Sequence, residues 1–421
     1  MMNEKIIYVF AGWFAEPKLI GKVFEQDNGR GKSVISFEYD LDWLATHSEI
    51  LLDPDIQPFS GRQYPLNKTN FGFLADASPD RWGRDLIKRR RQMQAKTEIA
   101  GNDKTTYSNY LTETDFLLGV HDAGRVGGLR FKIAMDGDFV SHEDSLAVPP
   151  WVSLRKLQHA AWEYEKKQNP DLYIWLKQIF APGSSLGGAR PKATVQDEQG
   201  NLWIAKFPSR NDERNVGAWE KVVHDLAGEC GLRVPESKLE NFTDNGYSTF
   251  LVKRFDRRNN GQKRVHFVSA MTLLGKTDGN ENTSYLDLLE IIRTSGSNPE
   301  EDSKELWTRI AFSVLISNTD DHLRNHGFLL EKTGWRLSPL YDINPNPYGT
   351  NLSLNITEDD NSKDIKLALQ TAPYYGLTTT EARTIVEKLQ GIVHDHWRPA
   401  AEKYRISRAE QEEIQRAFEG V

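Results

Sequence analysis

The sequence predicts an α+β protein of two lobes, in which a β-rich N-terminal part is followed by a mainly α-helical C-terminal lobe. Segments rich in β-branched and aromatic residues, as strands are, occur near the start of the chain and again between residues 193 and 255. The remainder shows mainly the helical spacing of apolar residues. At about 150 residues per domain, 421 residues suit two or three domains or one large two-lobed enzyme.

Composition and charge indicate an ordinary globular chain and exclude some functional classes. The 53 basic and 60 acidic residues give a net charge of −7, which argues against a general nucleic-acid binder. Aromatic residues make up 10% of the chain, enough apolar surface to exclude disorder over most of its length. The single cysteine, Cys230, excludes an internal disulfide and a multi-cysteine metal site. A cytoplasmic location and no membrane span are therefore expected.

Residues 1–145 are expected to form a β-rich N-terminal subdomain. Residues 5–10 and 34–39 have the composition of strands, and the turn-forming residues 27–31 between them predict a hairpin connection. The apolar run 5–10 is short and no convincing cleavage site follows it. We therefore interpret it as a strand and not as a secretory signal.

A helix is predicted later in this subdomain. Ser78 is the expected N-cap and Pro79 the first helical residue, and the basic run 88–91 is expected to end the helix. We interpret that run as a solvated face near the negative end of the helix, with a phosphate or partner site as the alternative. Residues 136–150 have the composition of a linker.

The rest of the chain is expected to divide into an N-lobe at residues 146–258 and a helical C-lobe at residues 259–421. Gly231 is expected to close a helix, since glycine adopts the backbone conformation that ends one. The predicted strands are 193–195, 202–207 and 249–255. The predicted helices are 151–168, 216–230, 287–294, 299–317, 380–397 and 408–418.

The segment 316–327 contains an aspartate followed five residues later by an asparagine, the spacing of a kinase catalytic loop. Phosphoryl transfer needs a carboxylate that accepts or orients the proton of the attacking hydroxyl. It also needs a neutral amide that binds Mg²⁺ without cancelling its charge. Asp320 fits the first role and Asn325 the second. Because both residue types are common in turns, an ordinary turn stays the alternative for this segment alone.

A second acid follows at a spacing that suits the same chemistry. Residues 335–342 resemble a strand that ends in Asp342, 22 residues after Asp320, which leaves room for a short hairpin. A kinase places its main Mg²⁺-binding aspartate on such a hairpin. The alternative is that Asp342 caps the turn into residues 344–347.

Two upstream features complete the pattern. Glycines in the loop 184–192 would let backbone N–H groups approach phosphate oxygens, although an ordinary turn is the alternative. Lys206 is the lysine of an otherwise apolar strand, like the phosphate-neutralising lysine of kinases, although it could instead lie exposed on an outer face. Glu220 on the following helix is a candidate partner for Lys206. The order of these parts along the chain predicts a protein-kinase-like fold.

On these motifs the sequence resembles the HipA family, the kinase toxins of bacterial type II toxin–antitoxin systems. The departures are Arg324, where the family has lysine, and residues 71–80, which match a Leu-Pro-Glu-Gly stretch only loosely. Residues 253–255 are similar to the hinge that meets adenine, and residues 37–40 and 127–131 to the N-terminal subdomain. The motif positions matched are Asn318, Asp320, His322, Arg324 and Asn325 in the loop, Tyr341-Asp342 at the metal, and residues 185–192.

The resemblance implies an ATP- and Mg²⁺-dependent serine/threonine protein kinase with Asp320 as its catalytic residue and Asn325 and Asp342 as metal ligands. His322 would brace the loop or take part in chemistry, and Arg324 would neutralise the γ-phosphate. The implied ATP-binding residues are Gly187, Gly188, Ala189, Arg190, Lys192, Lys206, Lys253, Phe255, His322, Arg324 and Asn325.

The resemblance also implies partners and a control mechanism. The partner would be a helix-turn-helix antitoxin similar to HipB, through which alone the chain would reach DNA, and an aminoacyl-tRNA synthetase is one candidate protein substrate. The family inactivates itself by phosphorylating a serine of the glycine-containing loop, which corresponds to Ser185, with Ser184 as the fallback. That phosphate adds a charge of about −1.5 to −2, which would repel the nucleotide.

Two other functions stay open on the sequence. One is a small-molecule kinase of the aminoglycoside or choline type, which shares the Asp-x4-Asn loop and the later aspartate. The β-rich subdomain argues against it. The other is a catalytically weak co-repressor that acts on DNA with its antitoxin, against which the set of acidic metal ligands argues.

Overall fold

The computed structural model describes residues 4–27, 33–100, 110–140, 148–166, 188–242, 246–279 and 282–419. Contacts divide the chain into two compact units. The first comprises Met1–Ala205, Asp256–Val268 and Gly275–Thr277, and the second comprises Lys206–Phe255, Ser269–Leu274 and Asp278–Val421. Strands prevail early and helices late, so the predicted α+β class is confirmed. Within the described ranges, no helix is long and apolar enough to cross a membrane.

The first unit begins with an antiparallel sheet of order β3-β2-β1-β4. Its register runs from Gly21 opposite Tyr39 to Asp27 opposite Ser33, so β3 pairs with β2, a strand that was not predicted, and not with the predicted strand 5–10. The predicted hairpin connection lies mostly outside the described residues. Fully buried side chains such as Ile7 and Phe37 give the sheet its own core. The strands are β1 (Glu4–Ala11), β2 (Lys18–Asp27), β3 (Ser33–Tyr39) and β4 (Leu129–Lys132).

Helices α1 (Leu41–His47), α2 (Gly72–Asp76), α3 (Arg81–Ala100) and α4 (Glu113–Leu118) accompany this sheet. The expected cap of α3 at Ser78 is wrong. The Asp80 carboxylate accepts the Gly83 N–H at 2.7 Å, whereas the Ser78 hydroxyl donates to the Leu74 carbonyl.

The basic run 88–91 does not end α3, which continues to Ala100. Lysine and arginine are good helix formers, so a run of them does not by itself stop a helix. Arg89 pairs with Asp85 one turn earlier, and its guanidinium lies over the Tyr164 ring at 4.7 Å. Arg89 is therefore an ion-paired residue on the surface of this helix.

The first unit also contains helix α5 (Leu154–Tyr164), the strand β5 (Lys192–Gln196) and its neighbour β6 (Leu202–Lys206), of which only the last residue, Lys206, belongs to the second unit. The predicted strands 193–195 and 202–207 are thus confirmed within a residue or two at each end, the usual uncertainty. The short strands β9 (Arg257–Arg258) and β10 (Lys263–Arg264) belong here as well, because the Asp256 carboxylate accepts the Gly127 N–H at 2.7 Å.

The second unit is mainly helical. It includes the antiparallel pairs of β7 (Ser237–Glu240) with β8 (Thr249–Lys253) and of β12 (Gly327–Glu331) with β13 (Gly334–Leu337). The second pair is the expected hairpin, but its second strand ends at Leu337 and not at Asp342 as predicted. Strand β11 (Phe267–Ser269) lies where the two units meet in sequence. The helices are α6 (Val216–Glu229), α7 (Ala270–Leu273), α8 (Tyr285–Ser295), α9 (Pro299–Leu315), α10 (Ile365–Thr371), α11 (Thr379–Lys403), α12 (Arg408–Ile414) and α13 (Arg416–Glu419).

Local signals explain most helix ends in this unit. Gly231, at φ +86°, ends α6, and its N–H donates to the Gly228 carbonyl, as predicted. The expected single helix at 408–418 is wrong, since it is divided into α12 and α13 around Gln415. Helix α9 ends at Leu315, and Ser317 then turns the chain at φ +54° into the candidate catalytic loop.

Helix α6 packs so closely on the backbone near Ser248 that Gly217 has no room for a side chain. A Cβ at Gly217 would lie 2.3 Å from the Ser248 carbonyl oxygen. We expect Gly217→Ala to lower the free energy of unfolding by about 1–3 kcal/mol through overpacking, measured by urea denaturation.

The matched control is Gly228→Ala in the same helix, where the nearest atom would lie 3.4 Å away. Alanine should there be neutral or stabilising by up to ~1 kcal/mol, because it favours helix more than glycine does. Equal stability of the two variants would contradict the close approach at Gly217.

Candidate functional site

A half-buried lysine lies between two carboxylates in the second unit. Lys206 is the last residue of β6, and its Nζ lies 2.5 Å from Glu220 Oε1 and 2.6 Å from Asp342 Oδ1. Glu220 comes from α6 and is 5% exposed, whereas Asp342 follows the β12–β13 hairpin and is 33% exposed. The proposed partner Glu220 is therefore confirmed as a contact, and Asp342 is a second one that the sequence did not reveal.

The two carboxylates keep Lys206 charged. Burial by itself would lower the pKa of Lys206, but the charges and hydrogen bonds of Asp342 and Glu220 outweigh burial and raise the pKa above its usual value. Lys206 is therefore a fixed positive charge at neutral pH. A fixed ammonium beside a partly exposed aspartate is suited to neutralising phosphate oxygens.

The backbone at Asp342 is unusual. Its φ is +58°, in the left-handed region that few residues other than glycine adopt, although aspartate tolerates it better than most. Such conformations are concentrated at functional sites, where surrounding contacts hold them. Here the ion pair with Lys206, 136 residues away in sequence, holds the side chain.

The two adjacent acids of the candidate catalytic loop differ in burial. Asp320 is exposed, whereas Asp321 is buried. The side-chain amide of Asn325 donates to the Asp320 carbonyl at 3.0 Å, and the Asn325 N–H donates to the His322 carbonyl at 2.8 Å. The nitrogen of the Asn325 amide thus closes the loop, and the amide oxygen is the atom suited to bind a cation.

Tyr341 connects the metal motif to the loop. Its hydroxyl donates to the Arg324 carbonyl at 2.7 Å, and its ring lies 5.6 Å from that of Phe255. The predicted hinge residue, the Tyr-Asp motif and the catalytic loop therefore lie together. The sequence placed Tyr341 in a family motif but did not reveal this hydrogen bond, because no pattern in the neighbouring residues shows that its hydroxyl reaches Arg324.

The observed contacts of Arg324 and His322 do not test the roles predicted for these two residues. The Arg324 guanidinium makes an ion pair with Asp278, and both side chains are exposed. His322 is half-buried, and no hydrogen-bond partner for its Nδ1 is found among the residues that the structure describes.

Lys253 ends β8 and is engaged by a neighbouring glutamate. Its N–H donates to the Glu236 carbonyl at 2.8 Å, and its Nζ lies 3.3 Å from the Glu236 carboxylate. Contact of this backbone with adenine stays a prediction.

The predicted phosphate loop belongs to the first unit. Gly188 and Ala189 are exposed, and Gly188 has a φ of +111°, which requires glycine. Lys192 is buried and its Nζ lies 2.9 Å from the equally buried carboxylate of Asp80. Arg190 is half-buried. The other loop positions named above, Ser184, Ser185 and Gly187, lie outside the described residues.

The donor set available to a metal is small. No group of three or more His, Cys, Asp or Glu able to hold a metal is found in the described ranges. Magnesium, however, is commonly held by one or two carboxylates together with waters and substrate phosphates. One carboxylate, Asp342, and one amide oxygen, that of Asn325, fit such a nucleotide-bound ion.

Comparison with known proteins identifies the family. The profile of the HipA-like C-terminal domain matches residues 184–397, half of the chain. The chain therefore belongs to this family, and the resemblance seen in the sequence is confirmed. The fold agrees with HipA of Shewanella oneidensis MR-1, solved with HipB and its operator DNA, at a TM-score of 0.67 and 16% identity over 98% of this chain and 96% of that one.

Two curated relatives are described as candidate kinases. One, from Haemophilus influenzae (strain ATCC 51907 / DSM 11121 / KW20 / Rd), is 29% identical over 44% of this chain and 61% of its own length. The other, Y4mE of Sinorhizobium fredii (strain NBRC 101917 / NGR234), is 27% identical over 33% of each chain. The chain thus spans less than two thirds of the length of either relative.

The helix that carries Glu220 also carries a histidine held neutral. Burial and the nearby positive charges of Lys221 and Lys206 together lower the pKa of His224 to about 4, against the opposing effect of the Asp225 charge. The unfolded chain takes up this proton near pH 6.5, so between about pH 6.5 and pH 4 it binds more protons than the folded chain. The free energy of unfolding therefore falls as the pH is lowered through this window, and the contribution is intact above it.

We expect His224→Asn to reduce this loss, by up to ~3 kcal/mol at pH 4, because asparagine takes up no proton. Urea denaturation between pH 7 and pH 4 measures the difference between the variant and the wild type. His394→Asn, at an exposed histidine, is the matched control and should follow the wild-type curve. A His224→Asn curve parallel to the wild type would refute the assignment.

Proposed function

We propose that this member of the HipA-like family is an ATP- and Mg²⁺-dependent serine/threonine protein kinase, the cytoplasmic toxin of a toxin–antitoxin pair. The observation that carries the proposal is the Lys206–Glu220–Asp342 cluster, which Tyr341 connects to the Asp320–Asn325 loop. Family membership and the candidate kinases among the relatives support it.

In this mechanism each side chain has one task. The exposed carboxylate of Asp320 orients the acceptor hydroxyl and takes its proton. The hydroxyl oxygen forms the new bond to the γ-phosphorus while the bond to the β-phosphate oxygen breaks. Glu220 holds Lys206, whose ammonium moves from Asp342 to the phosphate oxygens. Asn325 and Asp342 would hold Mg²⁺, which would neutralise negative charge on the phosphates.

The remaining nucleotide contacts are proposed from the family motif. Gly187, Gly188, Ala189, Arg190 and Lys192 would meet the phosphates, and Lys253 and Phe255 the adenine. The contact of Lys192 with Asp80 supports a role in shaping this loop, since a Cβ at Gly188 would lie 3.1 Å from Lys192 Nζ. Arg324 would contact the γ-phosphate only after leaving Asp278.

A helix-turn-helix antitoxin is the proposed partner. HipA of Shewanella oneidensis was solved with HipB and operator DNA, and the net charge of −7 of this chain supports DNA contact through a partner alone. A protein with an acceptor Ser or Thr is the proposed substrate, for which aminoacyl-tRNA synthetases are the first candidates to assay.

We expect Asp320→Asn to lower phosphoryl transfer by about 10²–10⁴-fold, the usual contribution of a positioned general base, while Mg·ATP still binds. Radiolabel transfer and calorimetric ATP titration measure the two quantities. Asp359→Asn, an exposed acid of the same unit, is the matched control and should retain wild-type transfer. Full transfer by Asp320→Asn would exclude the proposed role, and transfer to amino alcohols but not to protein would favour a small-molecule kinase.

A second expectation concerns self-inactivation. After incubation with Mg·ATP, phosphopeptide mapping should find phosphate on Ser185, or on Ser184, and the modified protein should lose ATP binding because the added charge repels the nucleotide. The Asp320→Asn protein serves as the unmodified control. An unmodified 184–192 peptide from active wild-type enzyme would argue against this control mechanism.

A further inference from the structure

The catalytic loop is attached to the protein interior by a buried acid that the proposed mechanism does not use. Asp321 directly follows Asp320, and its side chain is 3% exposed. Its Oδ2 accepts the Tyr285 hydroxyl at 2.7 Å, and its Oδ1 lies 2.9 Å from His326 Nε2. Both partners are fully buried.

The partners explain why an acid is tolerated there. A buried carboxylate is strongly unfavourable unless it is paired and hydrogen-bonded. Burial alone would raise the pKa of Asp321, but His326 and Tyr285 more than compensate and keep it below its usual value. Burial and the Asp321 charge raise the pKa of Tyr285 well above its usual value, so the phenol keeps its proton and donates it.

The same contacts restrict the loop at both ends. Asp321 lies at its start and His326 at its end, so their contact joins the two ends to each other. Tyr285 comes from α8, and the His326 carbonyl accepts the Ala270 N–H at 2.8 Å, so both ends are also attached to neighbouring segments. Asn325 adds a bond to the Asp320 carbonyl. The backbone of Asp320 cannot shift without breaking part of this network.

We propose that Asp321 is a positioning residue, held by Tyr285 and His326, that fixes the Asp320 carboxylate in its reactive orientation. The inference rests on the proposed phosphoryl transfer and extends it to residues outside the nucleotide site. Positioning of this kind contributes to rate because a displaced catalytic group loses effective concentration at the reacting atom.

The test is Tyr285→Phe, which keeps the ring and removes one hydrogen bond to Asp321. We expect kcat, taken here as the first-order rate constant of autophosphorylation at saturating ATP, to fall about tenfold, the equivalent of one hydrogen bond to a charge, with KM for ATP unchanged. Backbone amides of residues 318–325 should exchange hydrogen faster than in the wild type. Both are measured at a temperature at which thermal unfolding shows every variant to be folded.

Tyr375→Phe is the matched control. Tyr375 is a buried tyrosine of the same unit whose hydroxyl has no hydrogen-bond partner within the described ranges, so its loss should change neither kcat nor loop exchange. Asp321→Asn should lower kcat more than Tyr285→Phe, and adding Tyr285→Phe to it should have little further effect, because the two residues act as one unit.

The possible results distinguish failure of the positioning role from failure of the proposed kinase activity. Tyr285→Phe with wild-type kcat, or with loop exchange equal to that of Tyr375→Phe, refutes the positioning role while leaving the kinase intact. A fall confined to KM also refutes it. Wild-type protein that transfers no phosphate refutes the proposed function, and with it the catalytic purpose of the network.

Discussion

One half-buried ammonium group, that of Lys206, makes the two ion pairs on which the candidate site in the second unit depends. Glu220 and Asp342 come from a helix and from the segment after a hairpin, and both lie within 2.6 Å of Lys206 Nζ. Carboxylates brought this close repel each other, and the repulsion grows as water is excluded. The charge of Lys206 offsets the repulsion, so that the carboxylates of Glu220 and Asp342 can lie close to the same point.

Backbone strain lies on both sides of the catalytic loop. Ser317 precedes the loop and Asp342 follows the hairpin after it, and both have left-handed φ values that cost roughly 1–2 kcal/mol each for residues other than glycine. Hydrogen bonds offset this cost at Ser317, which donates to the Ala417 carbonyl and accepts from Lys363 Nζ at 2.8 Å. The ion pair with Lys206 does so at Asp342. The turns are thus held by contacts distant in sequence.

Local sequence rules predicted the end of a helix correctly where the residue that stops the helix lies within one turn of that end. Gly231 ends α6 as expected, since a left-handed glycine is sufficient to end a helix. The rules failed at α3, where Ser78 and Asp80 are both good caps and the tertiary partner decides. The Asp80 carboxylate also pairs with Lys192, while the Ser78 hydroxyl is used by the Leu74 carbonyl.

The sequence by itself determined the chemistry available at the site. Asp320 and Asn325 lie five positions apart in one loop, and Tyr341 directly precedes Asp342. Residues this close in sequence stay close in space whatever the rest of the fold. Only the tertiary structure decided that Glu220 and Asp342 share Lys206, and that Asp321 and not Asp320 is the buried acid. The reason is physical: burial and ion pairing depend on which distant segments pack together, and neither is encoded in the spacing of neighbouring residues.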